Sequence, residues 1–145
     1  MAGKFERDID YVRGEGRSTL RTNEGVAAVN DAIAFLKKQQ PVKPLRWNNL
    51  MAQASKFHTE DIGPKGLITH TSSVGESDTK TRLKQFGKIV SCYGESLSFN
   101  CITAKEVMLQ LLVDDGSKSR GQRLSIFKAD FNVMSSYSGQ HSDFE

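Results

Sequence analysis

The sequence predicts an α+β domain in which helices pack on a small sheet. Apolar residues recur at helical spacing in several stretches of the chain, and they alternate as in a β-strand over residues 89–99 and 131–137. With 145 residues, the chain is long enough for one core and too short for two cores joined by a linker. We therefore expect an N-terminal segment over residues 1–22 and one domain over residues 23–145.

Three helices are predicted in the first half of the chain. Residues 4–12 place three apolar side chains on one helical face, which indicates a short first helix. A second helix is expected from Asn23, a residue type that favours the N-cap, to the proline at position 41. A third carries an apolar stripe from Trp47 to His58 and ends at Gly63, which a proline follows.

The second half of the chain mixes helices with the two alternating stretches. Residues 65–78 are rich in Gly, Ser and Thr and predict a loop, and residues 79–86 predict a short helix. Thr103 and Glu106 have the spacing of a capping box, which predicts the start of another helix. One alternating stretch precedes this helix and the other follows it, so we expect both to contribute strands to the sheet.

Composition and charge exclude several classes of protein. The 20 basic and 17 acidic residues leave a net charge of +3, without the clustered basic excess of nucleic-acid-binding proteins. The longest mostly apolar run, Val107 to Val113, is too short to span a bilayer. The charged N-terminus does not resemble a secretory signal, so an intracellular location is expected. Cys92 and Cys101 are too few for a disulfide-dense scaffold and predict free thiols.

Glu95 is the most informative polar residue. It lies on the apolar face of the predicted strand, where a carboxylate must be paired, hydrogen-bonded or bound to a cation. A structural role and a site role both stay open. His70, in the preceding loop, forms a metal or acid–base site with Glu95 only if the fold brings the two together, since a lone loop histidine is usually an exposed imidazole. His58 is expected to be a partly buried structural histidine, and His141 carries no signal by itself.

Asp114 and Asp115 follow the apolar residues of the capped helix. Negative charge is unfavourable at a helix C-terminus, so a compensating cation is expected nearby. Arg120 and Arg123 are the nearest candidates. Such pairing is a sufficient structural explanation of the two aspartates.

Four segments occur in a distinctive order: Pro44-Leu45-Arg46-Trp47, Ile68-Thr69-His70-Thr71, Tyr93-Gly94-Glu95-Ser96-Leu97, and residues 111–127. Their order and spacing resemble the CAP superfamily, the domain of cysteine-rich secretory proteins, antigen 5 and plant pathogenesis-related proteins. The resemblance is to its disulfide-free form in bacteria and single-celled eukaryotes, and it extends from Asn23 to the end of the sequence.

The resemblance implies an α-β-α sandwich, also called the SCP domain, with a central cleft of two histidines and two acids that can bind a divalent cation. Here the sandwich would lack its last strand, because the sequence stops after a segment that resembles the one before that strand. His70 matches the first histidine and Glu95 the first acid. Asp114 or Asp115 matches the second acid, and the alignment does not choose between them. Gln122 stands where the second histidine is expected.

The glutamine weakens any cleft chemistry, because a carboxamide is a poor zinc ligand and does not shuttle protons. The resemblance therefore implies a non-enzymatic CAP-domain protein without a cofactor. It would act as a binding or structural subunit among the other proteins of a larger cytoplasmic or cytoskeletal assembly. The alternative is a cleft that binds a lipid, a sterol or a divalent cation such as zinc, the cation weakly through His70 and Glu95. The third reading is a protease-like hydrolase with Glu95 as base and His70 as acid.

Overall fold

The computed structural model describes residues 4–6, 10–12 and 19–144, with the backbone alone up to residue 21. Its elements combine helices with short strands, in agreement with the α+β class. The chain forms two compact units: the described parts of 1–41 with 101–126, here the first unit, and 42–100 with the described part of 127–145, the second unit. The finer predictions, a single domain over 23–145 and an α-β-α sandwich, stay predictions.

The helices and strands are named in chain order. They are β1 (Lys4–Glu6), β2 (Asp10–Val12), β3 (Thr19–Arg21), α1 (Val26–Lys38), β4 (Arg46–Trp47), α2 (Asn49–Ile62), α3 (Thr79–Phe86), α4 (Ala104–Val113), α5 (Gly121–Ile126) and β5 (Val133–Met134). Each described helix is too short or too polar to traverse a bilayer.

The first unit opens with strands where the sequence predicted a helix. β1 pairs with β2 and β2 with β3, all antiparallel. The helix predicted over residues 4–12 is therefore wrong at 4–6 and 10–12, and its residues 7–9 lie outside the described part. Apolar residues four apart share a face in a strand as well as in a helix, so the pattern was ambiguous. A lone nine-residue helix is also marginal in water, whereas these segments pair with one another.

α1 confirms the second predicted helix, but it begins differently. Its N-cap is Gly25, whose φ of 60° is accessible to glycine, and none of the described side chains caps the helix. Asn23 is not the cap, because Gly25 occupies that position; Asn23 instead donates to Asp115 Oδ2, through its backbone N–H at 2.7 Å and through Nδ2 at 3.2 Å. Ala28 and Ala32 are buried on α1, which contacts α4.

α4 begins as predicted. Thr103 accepts a hydrogen bond from the Glu106 N–H, and the Glu106 side chain accepts one from the Thr103 N–H. The helix ends at Asp114, whose φ of 50° lies in the left-handed region. This turn leads towards α5, which contacts α4.

The second unit is built on α2 and α3, and both confirm their predictions. Asn48 caps α2 by accepting the Met51 N–H at 2.9 Å, and Asp78 caps α3 by accepting the Thr81 N–H at 2.7 Å. The two helices contact each other, with the rings of Phe57 and Phe86 centred 6.0 Å apart. Trp47 lies just before α2, in β4.

The sheet of the second unit is smaller than predicted. β4 and β5 pair in parallel over two residues, Arg46 opposite Val133 and Trp47 opposite Met134. The strand predicted over 131–137 is therefore limited to 133–134. The strand predicted over 89–99 is wrong, because these residues have no regular structure and no described strand pairs with them. A strand is stable only when its backbone pairs with a neighbour.

Candidate functional site

His70 and Glu95 lie together in the second unit. His70 Nδ1 is 2.8 Å from Glu95 Oε1, and Thr79 Oγ1 donates to the same oxygen at 2.9 Å. Arg82 donates through Nη2 to the other oxygen, Oε2. Donors of the chain itself therefore occupy both carboxylate oxygens of Glu95.

Arg82 holds this cluster together. It lies in α3, and its side chain is only 1% exposed. Its Nη1 donates to the His70 carbonyl oxygen at 3.2 Å and to Ser72 Oγ at 3.0 Å. One guanidinium thus joins α3, the loop that carries His70 and the irregular segment that carries Glu95. The five donors of Arg82 suit this task, since they are fixed in one plane.

The electrostatic environment keeps Glu95 ionised. Burial alone would raise the pKa of the Glu95 carboxyl, but the hydrogen bonds from Arg82 and His70 outweigh it and hold the pKa below its ordinary value. A carboxylate with a lowered pKa and both oxygens engaged is a poor general base. The arrangement does not suit the hydrolase reading, which needs Glu95 to accept a proton.

His58 extends the same network into the interior. It is 2% exposed, in agreement with the predicted structural role and more buried than expected. Its Nε2 is 3.0 Å from the Thr69 carbonyl oxygen, which can only accept, so Nε2 carries the hydrogen. Its Nδ1 then accepts from Ser72 Oγ at 2.8 Å. This arrangement holds the imidazole neutral.

We predict that stability falls in mild acid because of His58. Burial, chiefly, and the charge of Arg82 hold the pKa of His58 below its ordinary value. The unfolded chain therefore takes up a proton before the folded chain does, so the stabilisation is complete above the unfolded pKa and is lost as pH falls. The check is urea denaturation between about pH 7.5 and about pH 5.5, which bracket the ordinary pKa of about 6.5. The His58→Gln variant should lose this dependence. Equal pH slopes for both proteins would contradict the prediction.

The remaining candidates lie in the first unit. Asp114 is 2% exposed, and its Oδ2 accepts the backbone N–H of Gln122 at 2.9 Å and of Arg123 at 3.4 Å. Its Oδ1 accepts from Gln122 Nε2 at 3.3 Å. Asp115 instead accepts the N–H groups of Asn23 and Glu24, at 2.7 and 2.9 Å. Asp114 and Gln122 therefore contact each other, while Asp115 joins the chain just before α1.

The expected pairing of these aspartates with arginine side chains is wrong. The Arg120 side chain pairs with Glu24 at 2.6 Å and with Asp31 at 3.1 Å, and Arg123 pairs with Asp31 at 2.8 Å. The reason is that the aspartate carboxylates already accept backbone N–H groups near the starts of α1 and α5. The arginines do compensate the C-terminus of α4, but they do so by donating to the carbonyl oxygens of residues 112–114.

The charges of this network stabilise one another. A hydrogen bond from Arg120, with help from the Gly116 N–H, lowers the pKa of Glu24 to about 2. Asp31 also has a pKa below its ordinary value, because Arg123 and Arg120 donate to it. The acids and bases of this cluster are therefore engaged with one another at neutral pH.

Sequence reasoning missed Arg82 and Thr79. They are three residues apart, so they share one face of α3, and both reach Glu95. The sequence offered one signal, which is the need of Glu95 for a compensating charge. A carboxylate expected to be buried needs a cation, and Arg82 is the arginine that precedes Glu95 most closely in the sequence.

The second unit also contains an open groove of about 310 Å³. Its lining includes Leu50 and Met51 of α2, Leu83 and Phe86 of α3, and residues 88–94 and 130–133. It is lined chiefly by apolar side chains.

The donor set does not fit a zinc site. His70 offers one imidazole nitrogen beyond its bond to Glu95, whereas zinc sites in proteins use three or four ligands. In the part of the chain that is described, no three His, Cys, Asp or Glu side chains are grouped so as to hold a metal ion.

Comparisons with protein-family models, curated proteins and solved structures found no match for this chain.

Proposed function

We propose that the protein is a non-catalytic member of the CAP superfamily that acts as a binding or structural subunit of a larger intracellular assembly, such as a cytoskeletal one. One observation carries the proposal. Every carboxylate that the resemblance assigns to the cleft accepts hydrogen bonds from the chain itself: Glu95 from Arg82, and Asp114 and Asp115 from backbone N–H groups. Groups engaged in this way stabilise the fold and have little capacity left for chemistry.

Exposed apolar side chains support a binding role. In the second unit, Val90 is 88% exposed and Trp47 is 55% exposed, and in the first unit Ile102 is 67% exposed. Large apolar groups on a surface are typical of sites that contact other molecules when they cluster. Leu50, Val90 and Tyr93 do cluster, since all three line the groove of the second unit.

A second candidate function is weak binding of a divalent cation. The imidazole of His70 is 58% exposed, and its Nδ1 is held by Glu95. Metal-binding histidines are commonly oriented in this way by a carboxylate. In this reading Nε2 of His70 would bind the cation and Glu95 would only orient the ring.

The test is isolation of the protein at its endogenous level under native conditions. The proposal predicts a complex in which at least one other protein is present in fixed stoichiometry. The His70→Gln variant should enter this complex as well as the native chain does. Cation binding depends on His70, whereas complex formation does not. Recovery of a single free chain from the cell would contradict the proposal.

A further inference from the structure

Residues 88–94 form an irregular segment with a bend at Ser91, and their backbone pairs with no other residue that the structure describes. Within the described part of the chain, no hydrogen bond involves Lys88–Gly94. The segment is nonetheless rich in strand-forming residues, including Ile89, Val90 and Tyr93. Its local preference is therefore for a strand, but it pairs with none of the strands in the described part of the chain.

The groove of the second unit has a second wall with the same property. The hydrogen bonds that join β5 to β4 use the carbonyl oxygens of Asn132 and Met134. Successive residues of a strand direct their backbone groups to opposite edges, so Val133 directs its N–H and C=O away from β4. Val133 and residues 88–94 line the same groove.

These features specify the chemistry of the occupant. Apolar side chains of α2 and α3, including Met51 and Phe86, line the groove and suit aliphatic groups. A lipid would cover them but would leave the backbone donors and acceptors of 88–94 without partners once water is excluded. An extended peptide satisfies both requirements, because its backbone pairs at an edge while alternate side chains point to one face. Lys88 and Asp130 bring opposite charges to the lining, so the peptide needs no net charge.

We propose that residues 88–94 are a docking edge for one extended segment of a partner protein, which adds to it as a β-strand and places alternating aliphatic side chains in the groove. The inference rests on the proposed binding function and names the kind of partner. It also accounts for the strand that the sequence predicts here and the isolated chain does not form.

The experiment compares amide hydrogen exchange in the isolated chain and in the natively isolated complex. The expected result is fast exchange of residues 88–94 in the isolated chain and protection in the complex. A complex in which the amides of residues 88–94 still exchange fast would overturn this inference, but it would not contradict the proposed function. Absence of any complex would overturn both. Protection that appears in the pure chain as its concentration rises would identify a second copy as the occupant and overturn the assignment to a different protein.

Proline substitutions distinguish strand pairing from apolar contact. Val90 and Ser91 are exposed and make no hydrogen bond to any described residue, so Val90→Pro and Ser91→Pro should leave the thermal midpoint unchanged. Only one of the two N–H groups can face the partner. One proline should therefore lower recovery of the complex at least about tenfold, the effect of losing a hydrogen bond and its neighbours, while the other preserves it.

Val90→Thr is a control that keeps the backbone N–H, so this variant should still bind the partner. Ile68→Thr, which removes an exposed apolar group outside the groove lining, is the matched control. Equal effects of the two prolines would overturn the proposal.

Discussion

The Arg82→Met variant should lose about 3–5 kcal/mol of unfolding free energy, the usual consequence of removing one partner of a buried ion pair. Methionine preserves much of the side-chain volume but leaves the Glu95 carboxylate, 18% exposed, without its cation. It also removes donors to Ser72 and to the His70 carbonyl. Equilibrium denaturation with urea measures the loss.

A double-mutant cycle provides the control for Arg82. In the Glu95→Gln background the carboxylate charge is already absent, so Arg82→Met leaves no unpaired carboxylate and should cost clearly less than in the native chain. Equal costs in the two backgrounds would show that the two residues do not act as a pair. Such a result would contradict the structural role assigned to Glu95.

Replacing Asp114 by Ala should destabilise the protein by about 2–3 kcal/mol, which combines the loss of a helix cap with the cost of leaving buried donors without an acceptor. The carboxylate of Asp114 accepts the N–H groups of Gln122 and Arg123 in the first turn of α5. Arg123 is itself 2% exposed, so water cannot readily replace the missing acceptor.

The matched variant is Asp114→Asn, which retains one carbonyl oxygen as an acceptor. It should lose markedly less stability than Asp114→Ala in the same denaturation experiment. If both variants retained native stability, Asp114 would not be a structural cap, and its assignment to a functional cleft would become the better explanation.

The parts of the fold that depend on local sequence were predictable. α2 ends where a glycine and a proline follow it, and α3 occupies the predicted residues 79–86. The capping box of α4 is contained within four residues and forms as expected. Helical periodicity and capping depend only on neighbours in sequence, so both can be predicted from a single sequence.

Of the described strands, only β5 lies within a predicted one, residues 131–137; the others were not predictable, because each depends on a partner distant in sequence. Residues 4–6 and 10–12 pair with one another and with β3, which the helical spacing of their apolar side chains did not reveal. Residues 89–99 show the opposite case, in which the alternating pattern is present but none of the described strands pairs with it. Pairing, and not propensity, decided both outcomes.

The candidate site was predictable in its residues and not in its organisation. Glu95 stood out because a carboxylate on an apolar face needs a partner, and the structure supplies Arg82, Thr79 and His70. Nothing in the polar sequence of α3 marked Arg82 as buried. Likewise, the sequence could not show that Asp114 accepts from the backbone of α5 while the arginines pair with Glu24 and Asp31.

The central claim is that the protein acts through a partner and that the cluster around Glu95 supports the fold and does not bind a cation. Its most direct test is the zinc content of the natively isolated protein and of the His70→Gln and Glu95→Gln variants. The account predicts zinc well below one ion per chain, at the same level in all three proteins. One zinc ion per chain in the native protein, lost in both variants, would contradict it and make cation binding the function of this cluster.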